Sequence, residues 1–488
     1  VAVRYGLAVD LGTTTVAAAV GLPGGPETVL LGDRNATVPA VVHLAEDGRL
    51  LTGEAAARRA AAAPLRTLRH LRRRLGDPTP VLLAGRPFDV ADLLAAQLRD
   101  VVALVTRTRD GPPGRIALTR PTSWGPTRLG LFEEVAHRAG ITAPLLVAEP
   151  VAVAARYAET RGLPVGALVA VHRLGGGTVD AVVLRRGPRG MEQVGPGEGI
   201  ERLGGVDLDD AVLRHVDFRT GGAVGALDTR DPAAAVALAR LRDECTLAKE
   251  TLSVDTVVDL PVYLPGAHVD LTLTRADLEG MLRAPVESSV EALPRALRAA
   301  RVAPGDLTAV VLAGGSARIP LVARMVRETL AAEAGGGPTP RVDVVTEPAA
   351  ALGAAGLAGV LPLPVPAHPA PERLPAAPGP PPADRQASGS PAPEPRGVER
   401  PAPVRRDPPP PARSPEDPAT RPAAAEHEGD WPVRSSVGRG VAVAVAVLAV
   451  VAAIVVLVFV VLNRVRDTGQ GPEPAAPTPT VAVPGGPR

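Results

Sequence analysis

Cysteine occurs once in these 488 residues, at Cys245, and lysine once, at Lys249. A lone thiol excludes an intramolecular disulfide and a cysteine-rich zinc site, and its place in a helical pattern predicts a small buried hydrophobe. An excess of one charge is also missing. The 53 basic and 52 acidic residues leave a net charge of +1, which gives no bulk attraction to nucleic acid, and no such partner is expected. Aromatic residues make up 2% of the chain, and arginine stands almost everywhere a basic side chain is used. With alanine, glycine and proline so abundant, that bias is the mark of a GC-rich genome before it is a mark of function. The first residues, interrupted by Arg4 and Asp10, lack the apolar core of a signal peptide.

Glycine-containing bends organise what is present. From Val165 to Arg186 the chain reads as an apolar strand, a bend at Gly175, Gly176 and Gly177, and a second strand from Val179. Three glycines leave no Cβ atoms in the bend, so backbone N–H groups can close directly on phosphate oxygens. Thr178 adds a hydroxyl, and Asp180 a carboxylate able to hold a metal-bound water. Alone, this stretch also reads as an ordinary hairpin with a roomy turn. A second copy of the pattern runs from Arg4 to Val20, where Asp10 closes the first strand and Gly12, Thr13 and Thr14 form the bend. Two such hairpins suggest a duplicated fold with phosphate held between its halves. In a third element, Leu307 to Leu330, an apolar strand runs into Gly314, Gly315 and Ser316 before a helix.

The motifs DLGTTT, AEPVAVAARYAE, LGGGTVD, LGGVDLDDAVL, LAKETLS, LAGGSARIP and EPAAALGAAGLA follow one another from Arg4 to Ala358. Their order resembles the nucleotide-binding domain of seventy-kilodalton heat-shock chaperones of the DnaK type. The resemblance implies an α/β, actin-like ATPase fold in which two duplicated lobes surround a nucleotide cleft, with ATP or ADP and Mg²⁺ as ligands. It implies Mg²⁺ waters on Asp10 and Asp180. The phosphates would be cradled by Gly12, Thr13, Thr14, Gly175, Gly176, Gly177 and Thr178, with Gly204 and Gly205 in a third bend. Lys249 and Ser253, four apart on a helix, would line the adenosine pocket, and the Gly314–Gly315–Ser316 bend would lead to Arg318, stacked on adenine. Glu149, together with Thr178, would orient the catalytic water. The leucines at 65, 68, 71 and 75 predict an amphipathic helix with arginines on its other faces. The family has a catalytic lysine in such a run, and the best match, to within one turn, is Arg72.

Four positions depart from the family pattern. Arg173 stands where an aspartate faces the phosphates, and Arg72 where the lysine stands. Thr246 replaces a glutamate of the adenosine helix, and Thr346 an aspartate before EPAAAL. A guanidinium binds phosphate bidentately but cannot hold a Mg²⁺ water. Nucleotide binding is therefore expected more strongly than turnover, and Mg²⁺ use is in doubt.

The expected organisation is a nucleotide-binding domain over 1–359, a disordered linker over 360–438, a transmembrane helix over 439–463, and a proline-rich tail over 464–488. Proline, alanine and arginine dominate from Leu361 to Pro432, a composition that cannot bury enough apolar surface to order itself. Val441 to Leu462 carries neither charge nor proline and, as a helix, would span roughly 33 Å, enough for a bilayer core. A single-pass bacterial membrane protein with its N-terminal domain cytoplasmic is expected. The chaperones follow their nucleotide domain with a β-rich peptide-binding domain, whereas here a proline-rich tether follows directly. Two functions are open: ATP hydrolysis that opens and closes the lobes in a chaperone-like or switch role with an unknown protein partner or co-chaperone, or a nucleotide-sensing scaffold that does not hydrolyse.

Overall fold

The computed structural model describes residues 5–345 and 348–360. The linker, the Val441–Leu462 span, the tail and Thr346 lie outside the described residues. No helix among the described residues is long and apolar enough to cross a membrane.

Two sheets built on the same plan form the frame. In the first, Gly6–Leu11 pairs antiparallel with Thr15–Leu22 on one side and parallel with Arg115–Arg120 on the other, and Leu145–Ala148 continues the parallel run. In the second, Leu168–Leu174 pairs antiparallel with Thr178–Gly187 and parallel with Ala309–Ala313, followed by Arg341–Val344. Each hairpin is extended on its outer side by a short antiparallel strand, Gly25–Thr28 in one case and Gly190–Gln193 in the other. The strands are near-continuous Val, Ala and Leu because both faces of each sheet are covered. The main core of the first lobe collects Leu7, Val9, Leu94, Leu98, Leu118 and Phe132. That of the second collects Val183, Leu208, Leu282, Leu312 and Val326, and Cys245 is fully buried there as a small hydrophobe. Burial pushes its thiol up to about 12.

Helix boundaries follow local chemistry. Asp89 caps Val90–Thr108, its carboxylate accepting the Ala91 N–H at 2.9 Å. Helix Pro126–Arg138 runs into Gly140 at φ +82°. Helices Glu149–Arg161 and Ala349–Val360 pack through alanines, and at Gly353 a methyl group would overlap the Ala152 carbonyl. Ala349–Val360 also lies on the first sheet, where Gly6 and Gly21 leave room for Ala358 and Ala355.

One expectation about local structure fails. The run from Leu65 to Leu75 is not one helix: a 3₁₀ turn at Pro64–Arg66 leads to strand Thr67–Arg69, then to His70 in the left-handed region and a second turn at Leu71–Arg74. Pairing with Val41–Leu44 draws out the strand, and Leu71 and Leu75 still reach the core through the turn. The apolar stretch from Val38 to Leu44 is likewise not a single strand. Thr37–Pro39 joins Thr15–Leu22, while the Ala40 N–H turns to Thr14 O at 2.8 Å and Val41–Leu44 enters a separate small sheet.

Candidate functional site

The repeated hairpins place their bends face to face. In the first, the pairs Asp10–Ala17 and Leu11–Val16 bracket Gly12, Thr13 and Thr14. In the second, Arg173–Asp180 and Leu174–Val179 bracket Gly175, Gly176 and Gly177. The same bond closes each bend: Gly12 N–H to Thr15 O at 2.9 Å, and Gly175 N–H to Thr178 O at 3.0 Å. By this register Arg173 is the counterpart of Asp10, and Asp180 of Ala17. A Cβ on Gly176 would come within 2.5 Å of Thr14 Oγ1, and one on Gly177 within 2.7 Å of Thr13 Oγ1. The glycines of the second bend therefore lie directly against the threonine side chains of the first, which a Cβ would force to shift. Thr13 Oγ1 and Thr178 Oγ1 are buried there with no hydrogen-bond partner, a state that costs free energy until something supplies one.

Gly204 and Gly205 support the bend from behind. The N–H groups of Gly205 and Val206, at the start of helix Gly205–Arg219, donate to the carbonyls of Gly175 and Gly176 at 2.9 and 3.0 Å. Those two donors are thus used within the protein. Gly314, at φ +90°, crosses so close to the Leu174 carbonyl that a side chain there would collide with it.

Beside the bends lies a buried cluster of charge. Glu149, at the first position of its helix and 0% exposed, accepts Arg72 Nη1 on Oε1 at 2.6 Å, while Arg173 Nη1 lies 2.5 Å from Oε2. Arg72 also sits over the Trp124 ring, 5.8 Å from its centroid. Burial works to raise the Glu149 carboxyl, but Arg173 and then Arg72 override it and hold the group below the ordinary glutamate value. Asp10 and Asp180 go the other way. Burial, followed by the charge of Glu149, raises Asp10, and the same two causes push Asp180 up to about 6. Asp10 accepts the Thr119 hydroxyl at 2.6 Å, and Asp180 Oδ1 accepts the Thr122 N–H at 2.8 Å. Asp180 Oδ2 has no partner.

A cavity of about 460 Å³ opens in front of the bends, within the range of small-molecule sites. It brings together Asp10, Gly12, Thr13, Thr14, Arg173, Gly176 and Gly205 with Lys249, Ser253, Gly315, Ser316 and Arg318. Lys249 Nζ is 2.9 Å from Asp209 Oδ1, and the Ser253 hydroxyl donates to Lys249 O at 3.0 Å, just beyond helix Pro232–Thr251. Behind the bends a second space of about 20 Å³, enough for one water, is lined by Thr13, Arg72, Trp124, Gly177 and Thr178. Of the sequence-expected residues, Glu149, Gly175, Asp180, Gly204 and Gly314 line neither of these two spaces, although Gly314 borders a third small space with Asp10 and Arg173.

Some neighbours of the site were not expected from sequence. Arg73, next to Arg72, reaches Asp207 in the other lobe at 2.5 Å and Gly177 O at 3.4 Å. Asp209 holds Lys249, and His70 lines the cavity with its ring pushed down to about 4 by burial and by the flanking Arg69 and Arg73. Thr119 had a readable signal, since it lies one step past the parallel pair Val9–Leu118 and so beside Asp10.

The residues present suit an anionic ligand better than a resident metal. The bends offer buried hydroxyls and close backbone to phosphate oxygens. Both oxygens of Glu149 contact guanidinium groups, and Arg173 stands beside Asp10 and Asp180. Among the described residues no group of three or more His, Cys, Asp or Glu is placed to hold a metal ion.

Residues 132–365 match the family model described as Hsp70 protein. The match covers just under half of the chain and is a likeness to that family. The mixed sheets and helices fit the actin-like ATPase fold of that family.

Proposed function

We propose that this chain binds ATP in the cleft between its lobes and hydrolyses it slowly, the lobes opening and closing with nucleotide state. The observation that carries the reading is the meeting of the two bends, with the buried, partnerless hydroxyls of Thr13 and Thr178 beside the cavity. Thr13, Thr14, Gly175, Gly176, Gly177 and Thr178 take phosphate oxygens in this reading, and Lys249, Ser253 and Arg318 take the nucleoside. Water held by Glu149 and Thr178 attacks the terminal phosphorus, the bond to the bridging oxygen breaks, and the proton leaves with phosphate. Arg72 and Arg173 stabilise the charge that spreads over the transferred group.

Lobe motion has a physical basis in the contacts that cross the cleft. Arg69–Asp243, at 3.1 Å, and Arg73–Asp207, at 2.5 Å, are ion pairs with partly exposed side chains, each worth about 1 kcal/mol or less. Bound phosphate can compete with bonds of that strength.

A second reading, a nucleotide-sensing scaffold without turnover, draws support from the double guanidinium contact on Glu149, which ties up the carboxylate needed to orient water. In either case Val441–Leu462 would tether the chain to a membrane, with the nucleotide-binding lobes on the cytoplasmic side and an unidentified protein partner or co-chaperone acting on them. Single-turnover hydrolysis of labelled ATP by the full chain, run beside equilibrium binding, separates the readings. We expect bound nucleotide to be cleaved above the buffer rate. Binding without cleavage leaves the scaffold, and absence of binding ends both.

A further inference from the structure

We propose that nucleotide binding by this chain needs no divalent cation, because the Arg173 guanidinium is a built-in positive charge at the phosphate site. The proposal rests on the nucleotide reading above and specifies how the triphosphate charge is met. Three observations carry it. The register of the repeated hairpins makes Arg173 the counterpart of Asp10, so the two bends present one cation and one anion instead of a pair of carboxylates. The guanidinium lines the cavity and lies against the glycine bend, where a Cβ on Gly175 would be 2.6 Å from its Nη1. Its position is fixed by Glu149, 2.5 Å away and itself fully buried.

The surrounding carboxylates are poorly placed to compete for a metal. Glu149 is shared between Arg72 and Arg173, Asp10 accepts from Thr119, and Asp180, which accepts from Thr122 on Oδ1, does not line the cavity. A dication set among them would face two buried guanidinium groups, whereas phosphate oxygens would find a planar, permanently charged fork already in place.

The test is equilibrium titration of the full chain with a fluorescent ADP analogue, once in EDTA and once in excess Mg²⁺. We expect the two Kd values to agree within about threefold, and Arg173→Gln to weaken binding in EDTA by about tenfold or more while binding in Mg²⁺ changes less. Wild-type binding that is tenfold or more weaker in EDTA overturns the proposal and leaves the nucleotide reading standing. Absence of binding in both buffers, with ATP tried as well, removes the nucleotide reading and the proposal together. A thermal melt shows whether Arg173→Gln is folded, and if it is not, the wild-type comparison alone decides.

Discussion

The two hairpins at the centre of the molecule share pairing, bend length and closing hydrogen bond, yet they differ in charge at their matched positions. The first carries Asp10 and Ala17, the second Arg173 and Asp180. In the second hairpin the opposed charges face each other directly across the strands, and Glu149 draws the arginine into a buried ion pair. The matched hairpins thus share a backbone geometry, while side chains at equivalent points set how charge is balanced. The backbone is common to the two hairpins, and the balance belongs to each separately.

Making the hairpins alike is the harshest way to break this comparison. Arg173→Asp swings two charges among three buried carboxylates and should lower stability in EDTA by more than about 4 kcal/mol. Urea unfolding with and without Mg²⁺ should show part of that loss restored by the metal, and single-turnover assays should show Mg²⁺-dependent hydrolysis rise. An apo variant as stable as wild type would mean that the charges are not coupled. Glu149→Gln removes the carboxylate that two guanidinium groups share, and should cost about 3–5 kcal/mol in the same unfolding measurement.

Asp180→Asn should act in the opposite direction. The folded protein holds the Asp180 proton more tightly, with a pKa of about 6 against an ordinary 3.8. Stability contributed by this group is therefore present at low pH and is lost as pH rises from about 4 through 6. The variant escapes that loss, gaining at most about 3 kcal/mol at pH 8 and nothing near pH 4. Melts at the two pH values check the sign, and a gain that is larger at pH 4 would refute it.

The smallest effects distinguish the bends themselves. A methyl on Gly12 meets the Thr15 carbonyl, which is backbone, so Gly12→Ala should cost about 1–3 kcal/mol. A methyl on Gly176 meets the side chain of Thr14, which can rotate, so Gly176→Ala should change stability by less than about 1 kcal/mol. It should instead weaken binding of the ADP analogue, because it fills the space between the bends. Denaturation midpoints and titrations on the two variants provide the check.

Both bends were legible in the sequence because glycine at a strand end is a local statement about backbone. The two hairpins suggested the duplication, and the resemblance carried by the order of motifs implied the cleft. Leucine spacing from Leu65 to Leu75 misled because a strand followed by a turn can bury Leu71 and Leu75 as well as a helix can. The partners of the charged groups were also out of reach. Arg73 finds Asp207 and Arg72 finds Glu149 across 134 and 77 residues, contacts that only the assembled lobes create. The family resemblance marked Arg173 as a departure from an aspartate, but its fixed place against Glu149 emerges only in three dimensions.

Helix Ala349–Val360 lies along the strands that carry Asp10 and against the helix that begins with Glu149. During synthesis those earliest strands wait, one face bare, until nearly the whole described chain has left the ribosome. Premature termination before Ala349 would therefore leave an uncovered alanine-lined sheet, open to aggregation. In the finished protein, a force applied to the chain beyond residue 360 reaches the Asp10 strand through a single rigid element.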